Sequence, residues 1–283
     1  MRSFKHSLFY GLLYLVPKNL VSRLMGFLVS LTPPRSVAIY INKCFARMVG
    51  INIEEAEKPL KDYPNLQAFF IRKLKPGLRP IASTPNAVVS PCDGFVSSFG
   101  QIRDGSLYAI KGSNYSLTSL LDAKDLAARF DGGFFTTIYL SPRDYHRFHA
   151  PLSGEIVETT YIPGALWPVN RWAVNNIPNL FCQNERIISL IKPQGQPKLL
   201  AYIAVGATMV GKIKLSYCDL ESNVKSPKLS RFHQAQNIIK GSELGMFMFG
   251  STIILLFEPG LIDGFALTAP QAIKMGEIIA LMK

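Results

Sequence analysis

GMFMFGSTIILL, residues 245–256, sets a Gly-Ser-Thr step between two apolar runs. The runs read as a buried strand pair, and a glycine inside such a pair marks a bulge or a close approach of backbone. A second reading gives Ser251 a chemical task, in which its hydroxyl reaches the backbone just before it. The choice between the two depends on what surrounds the stretch.

Working outward, the texture from about residue 85 is uniform. Short β-rich runs are separated by Gly, Pro, Asn and Asp: AVVS, FVSSF, LYAIKG, FFTTIYL, EIVETTYI, RIISLI, LLAYIAV, MVGKIKLSY and TIILLF. One helix, SLTSLLDAKDLAARF, interrupts them. This is not the regular strand–helix alternation of a doubly wound fold. The expectation is α+β, a largely antiparallel β-sheet catalytic domain over residues 81–283. Residues 1–80 read instead as a helical region, closing in NLQAFFIRKLKPGLRPI, where Pro76-Gly77 stops the last helix.

Charge is unevenly placed. Of a net +12, residues 1–53 carry +7 (Arg2, Lys5, Lys18, Arg23, Arg35, Lys43 and Arg47) and no acid before Glu54. The chain is 48% hydrophobic and 18% charged, which excludes disorder and leans toward an apolar partner. No nucleic-acid-binding module accompanies the basic residues, so no nucleic-acid partner is expected. LFYGLLYLVP near the start is too short to span a bilayer and lacks a small-residue cleavage site. From Asn19, Leu20, Leu24, Phe27, Leu28 and Leu31 share one helical face, with Asn19, Ser22, Gly26 and Ser30 opposite, until Pro33-Pro34. An apolar face with basic flanks and no acid is the composition of a helix lying on an anionic membrane surface. Four scattered cysteines without a CxxC pair argue against a zinc ribbon or disulfide framework and fit a reducing compartment.

Taken singly, the candidate chemical motifs are weak. GATMVGKI (206–213) lacks the hydroxyl that a phosphate-cradling loop places after its lysine, and reads as a hairpin. YHRFH (145–149) holds two of the four histidines, His146 and His149, at a loop or strand end, with no HExxH and no third metal ligand. PCDG (91–94) offers Asp93 in a turn. GST (250–252) is not a GxSxG elbow, because Ile253 replaces the last glycine. Together, Asp93, His149 and Ser251 supply the residue types of a triad acting on the chain's own backbone. A serine hydroxyl can attack the Gly250 carbonyl, and the resulting ester can eliminate to dehydroalanine, which hydrolyses to a pyruvoyl group and ammonia. Glycine at 250 removes side-chain bulk and tolerates the bend.

SPCDG, LSPRDYHRFHAPLSG, YIPGALWPVN, PNLFCQNERI, VGATMVGKI and KGSELGMFMFGSTIILLF run through most of the chain. In these stretches it resembles the pyruvoyl-dependent, membrane-associated bacterial phosphatidylserine decarboxylases. Cys92, Phe249 and Ala150 are conservative departures from the family pattern. The resemblance implies a zymogen that cuts itself at Gly250–Ser251 into a β chain (1–250) and an α chain (251–283). Asp93, His149 and Ser251 would be the self-cleavage triad, and Ser251 would become the pyruvoyl cofactor and Schiff-base site. His146 would donate the proton in decarboxylation, as an acid near its working pH. No metal is implied.

The implied reaction turns phosphatidylserine into phosphatidylethanolamine, in phospholipid biosynthesis. Loss of CO2 leaves a carbanion that needs an electron sink, and a pyruvoyl group joined to the substrate amine provides one. A bilayer substrate also explains the acid-free amphipathic N-terminus. The expected setting is the cytoplasmic side of the cell membrane, peripherally bound, as a homodimer of αβ units. Trp167 and Asn170, in YIPGALWPVNRW, are candidate walls of the substrate cleft. A zinc hydrolase built on Asp93, His146 and His149, or a non-enzymatic lipid-surface protein, are the rival readings.

Overall fold

The computed structural model describes residues 17–108, 114–208, 212–224, 229–233, 235–248 and 251–283. The apolar run before Pro17, Phe249 and Gly250, and most of the TMVG stretch lie outside the described residues. The helices are α1 (Lys18–Ser30), α2 (Arg35–Val49), α3 (Leu66–Phe70), α4 (Leu117–Leu121), α5 (Lys124–Phe130), α6 (Arg171–Asn176) and α7 (Leu180–Gln183). The strands begin with β1 (Ala87–Val89), β2 (Gly94–Arg103), β3 (Ser106–Tyr108), β4 (Asn114–Ser116), β5 (Phe134–Leu140), β6 (Arg147–His149), β7 (Gly154–Ile162), β8 (Arg186–Pro193) and β9 (Leu200–Val205). They continue with β10 (Ile213–Leu215), β11 (Ser230–Phe232), β12 (Gln236–Ile238), β13 (Glu243–Phe247), β14 (Ser251–Phe257), β15 (Ile262–Phe265), β16 (Ala272–Ile273) and β17 (Ile278–Met282).

The fold is the α+β one expected. An 11-stranded sheet runs β11-β7-β8-β9-β14-β5-β2-β3-β4, with β12 beside β7 and β16 beside β2, and two three-stranded sheets accompany it, β1-β17-β15 and β10-β13-β6. Every pairing between these strands is antiparallel. β14 lies in the middle of the large sheet and is buried on both faces, which is why TIILLF is continuously apolar rather than alternating. Its pleat sorts the two cores. Ile253, Leu255 and Phe257 join Phe148 and Phe247 on the side of the small sheets. Ile254 and Leu256 join Leu117, Leu120, Phe130 and Phe181 under α4–α7. Each such side chain contributes about 1.5–3 kcal/mol by leaving water.

Three local expectations change. The helix expected over 116–130 is two helices, because Asp122 turns left-handed at φ 53° between α4 and α5. The helix expected to run to Pro76 ends at Phe70, because the following residues bond to another segment instead. Glu57 N–H donates to Lys73 O (2.8 Å) and Lys75 N–H to Glu55 O (2.9 Å). The hairpin expected across GATMVGKI does not form, since β9 pairs with β8 and β14 whereas β10 pairs with β13 in a different sheet.

The N-terminal helices are turned outward. α1 buries Ser22, and Asn19 Nδ2 donates to Gly164 O at 2.9 Å, while Leu20, Leu24, Phe27, Leu28 and Leu31 face away, Phe27 at 60% exposure. α2 repeats the arrangement, burying Ala38, Asn42 and Ala46 and exposing Val37, Tyr40, Ile41 and Met48. It ends at Gly50, whose φ of 82° only glycine adopts without strain. Both helices pack on α3. Among the described residues, no helix is long and apolar enough to cross a membrane.

Candidate active site

Ser251 opens β14 opposite Leu140, the last residue of β5. Its pleat parity with Ile253 turns it toward the small sheets. The residue is fully buried, and its Oγ has no hydrogen-bond partner among the described residues. Leaving a buried hydroxyl unpaired costs about 1–3 kcal/mol, so an orphan here calls for a reason.

The loop that leaves Leu140 carries both histidines. Asp144 pins its first turn, accepting from Ser141 N–H and Oγ–H, both at 2.8 Å. The chain then enters β6, which pairs with β13, the strand leading toward Ser251. Phe247 N–H donates to His146 O at 2.9 Å, tying the histidine segment to the residues just ahead of the Gly-Ser step. YHRFH is thus a strand end, as expected.

Carbonyl partners fix both imidazole tautomers, since a carbonyl can only accept. His149 Nδ1 donates to Gly241 O (2.9 Å), which leaves Nε2 to accept from the Tyr145 hydroxyl (3.3 Å). His146 Nδ1 donates to Asp144 O (2.9 Å), and its Nε2 has no hydrogen-bond partner among the described residues. Burial pushes His146 down to about 3, against the opposing pull of the Asp144 carbonyl. Burial also lowers His149, opposed by the Gly241 carbonyl. Burial thus favours the neutral form of both rings in the uncut chain. Its ring lies 4.1 Å, centroid to centroid, from that of Phe70.

Asp93 is buried in the turn between β1 and β2, and its carboxylate is fully engaged. Arg79 Nε donates to Oδ1 (2.8 Å) and its Nη2 to Oδ2 (2.6 Å). Met275 N–H donates to Oδ1 (3.0 Å), and Lys274 Nζ lies 3.4 Å from Oδ2. Arg79 also holds Glu55 at 2.7 Å. His149 N–H donates to Pro91 O (2.8 Å), two residues before Asp93, and the Asp93 charge acts on both imidazoles. Among the described residues, no hydrogen bond joins Asp93, His149 and Ser251 to one another. Nor do three His, Cys, Asp or Glu cluster among the described residues with the geometry to hold a metal ion.

Trp167 and Asn170 are held by partners of their own. Trp167 packs in the core on the helix-covered face of the large sheet, its Nε1 donating to Gln183 Oε1 at 3.1 Å. Asn170 caps α6, its Oδ1 accepting from Ala173 N–H at 3.0 Å. Sequence reasoning missed Arg79, Lys274 and Tyr145. Arg79 and Lys274 lie in stretches with no local pattern to single them out. It also missed Glu185, a buried carboxylate held by Ser222 (2.7 Å), Tyr161 (3.0 Å) and Asn223 N–H (2.9 Å).

The comparisons bear on this arrangement directly. The phosphatidylserine decarboxylase family pattern matches residues 66–281, from the start of α3 into β17, and takes in Asp93, His146, His149 and Ser251. A protein named phosphatidylserine decarboxylase proenzyme from Myxococcus xanthus is 43% identical over 252 residues, 89% of each chain. One of the same name from Pseudomonas aeruginosa is 41% identical over 295 aligned positions, 99% of each chain. Another, from Brevibacillus brevis, is 39% identical over 277 positions, 96% of this chain and 97% of the relative. With matches of this length carried through the Asp93 turn, the histidine loop and the Gly-Ser strand, the chain belongs to the phosphatidylserine decarboxylase family.

Proposed function

We propose that this chain is a self-processing phosphatidylserine decarboxylase that works at a membrane surface and forms phosphatidylethanolamine. The observation that carries the reading is Ser251, a fully buried hydroxyl with no partner at the first residue of a central strand. Most buried hydroxyls are bonded, and this one adjoins the bond to be cut.

In the processing step, His149 takes the Ser251 proton on Nε2 once Tyr145 yields that nitrogen. The Gly241 carbonyl keeps the other nitrogen protonated, so the ring is held in the tautomer a base requires. Ser251 Oγ then attacks the Gly250 carbonyl carbon, the Gly250–Ser251 amide becomes an ester, and elimination expels Gly250 as a carboxylate. Hydrolysis of the residue left at 251 takes up water and releases ammonia. Asp93 contributes a fixed negative charge that favours the imidazolium form of the histidine during proton transfer.

The residues fit the group that results. A ketone carries no O–H, so converting Ser251 removes the donor that the buried site leaves unpaired. A pyruvoyl group at 251 would supply the electron sink that loss of CO2 requires. His146, on the same loop with an unpartnered Nε2, is the residue that would carry a proton to the decarboxylated carbon. An anionic headgroup beside it would counter its desolvation and raise its proton affinity toward the working range. The outward apolar faces of α1 and α2 support docking on the bilayer, with the basic N-terminal residues against anionic lipid.

Purified protein is expected to run as two chains. The 251–283 fragment should weigh one ammonia less than plain hydrolysis predicts and should resist Edman sequencing. Ser251→Ala should leave a single inactive chain. An active, uncut chain with a free serine at 251 would refute the mechanism.

A further inference from the structure

Arg72 is 3% exposed, in the segment between α3 and the β domain. Among the described residues its guanidinium donates only to backbone carbonyls, Phe70 O at 3.4 Å and Arg143 O at 3.3 Å, its Nε has no hydrogen-bond partner, and its Cζ lies 5.5 Å from the centroid of the Phe69 ring. Among the described residues, no acid lies within ion-pairing distance of it. Glu55, Asp93 and Asp144 act on it only from farther away, and the first two are already bound by Arg79. A buried guanidinium is costly unless something compensates its charge.

Arg72 lines a cavity of about 310 Å³ with Tyr63, Ala68, Lys73 and Arg147, near the lower end for small-molecule sites. Two of the charged groups on its wall are spoken for, Arg147 by Glu243 (2.8 Å) and Asp62 by Arg35 (3.6 Å). Of the rest, Lys58, Arg72 and Lys73 outnumber Glu57. The balance favours an anion. The position favours the substrate, because the Phe70 ring lies against that of His146, tilted by 44°, and Arg72 donates to Arg143 O on the loop that carries His146. The same α3 segment supports the outward-facing α1 and α2.

We propose that Arg72 anchors the phosphodiester of the lipid headgroup, an inference that rests on the decarboxylase reading above. The headgroup offers two anions, and chemistry chooses between them. The carboxylate leaves as CO2, so an arginine gripping it would stabilise the ground state more than the transition state and slow the reaction. The phosphodiester keeps its charge throughout. Only a methylene and an ester oxygen separate its phosphorus from the carbon that loses CO2, so it must bind beside the residue that reprotonates that carbon.

The test measures binding by calorimetry on the Ser251→Ala chain, which has no ketone, with glycerophosphoethanolamine as probe. Arg72→Gln should weaken the probe by about 10- to 100-fold, the loss expected for one or two charge-assisted hydrogen bonds. Arg72→Lys should restore part of it. Ala68→Leu, which fills the cavity and leaves Arg72 intact, should weaken the probe as well. Ethanolamine, which has no phosphate, should respond to none of these changes. In the processed enzyme, Arg72→Gln should raise KM and leave kcat within about threefold, the signature of binding shared by ground and transition states. Unchanged probe affinity in both Arg72→Gln and Ala68→Leu would overturn the proposal, as would a changed kcat at unchanged KM. Should Arg72→Gln fail to fold, seen as failure to cleave with Ser251 present, Ala68→Leu decides alone. Because the probe is read on the uncut chain, failure of the pyruvoyl reading would leave this result standing.

Discussion

Lowering the pH should cost this protein stability in a window set by its buried histidines, and His146 makes the effect measurable. Its folded-state proton affinity is depressed by burial to about 3, against 6.5 for a free imidazole. As pH falls below about 6.5, the unfolded chain therefore takes up a proton that the folded one refuses. The stabilisation is complete above that pH and drains away down to about pH 3, by about 1.4 kcal/mol per pH unit. Between pH 7.5 and 5.0, the loss from this one residue is about 2 kcal/mol. The assay is urea unfolding of the Ser251→Ala chain at the two pH values, with and without His146→Gln. Whatever His146→Gln costs by packing is the same at both, so the difference of differences isolates the proton. His149, also depressed, and Glu185, raised by burial and therefore of opposite sign, remain in both chains and cancel. His146→Gln should shrink the pH 7.5-to-5.0 loss by about 2 kcal/mol. A change below about 0.5 kcal/mol, the usual non-additivity of distant sites, would show that His146 is solvated or already charged in the folded protein.

The two histidines should separate in function: His146→Ala should still give two chains but lose most decarboxylase activity, while His149→Ala accumulates uncut. The reverse pattern on a denaturing gel would exchange their assignments. Removing residues 1–34 should shift the protein to the soluble fraction without blocking cleavage, and high salt should release the full-length chain only in part, because it screens charge and leaves apolar contact. Complete release by salt, with Leu24→Ser and Phe27→Ser variants still bound at low salt, would reduce the attachment to electrostatics. Gly245→Ala should destabilise by about 1–3 kcal/mol and slow cleavage, since its Cβ would lie 2.4 Å from Lys214 O and 2.5 Å from the Phe148 ring, forcing β13 off the histidine strand. Wild-type melting temperature and cleavage rate in that variant would contradict the packing.

What the sequence determined by itself was whatever repeats along the chain or is punctuated locally. Runs such as FFTTIYL, RIISLI and TIILLF are strands because alternating or continuous burial selects β-branched and aromatic residues at a two-residue period, and β5, β8 and β14 fall where those runs do. The face of α1 was legible for the same reason, at the helical period. That its apolar side points outward followed from the lack of acids around it and not from periodicity, which names a face without saying what covers it. The residues Asp93, His146, His149 and Ser251 could be picked from short motifs, but their partners could not. Arg79 and Lys274 meet on Asp93 from positions 195 residues apart, and no local pattern records a contact of that range. The tautomers of the histidines depend on the carbonyls of Gly241 and Asp144, backbone groups that every residue carries. The depressed proton affinity of His146 comes from burial, with Phe70 against its ring, a property of the packed molecule. Tertiary structure alone decided these, because desolvation and long-range hydrogen bonding exist only once distant segments have closed around the site.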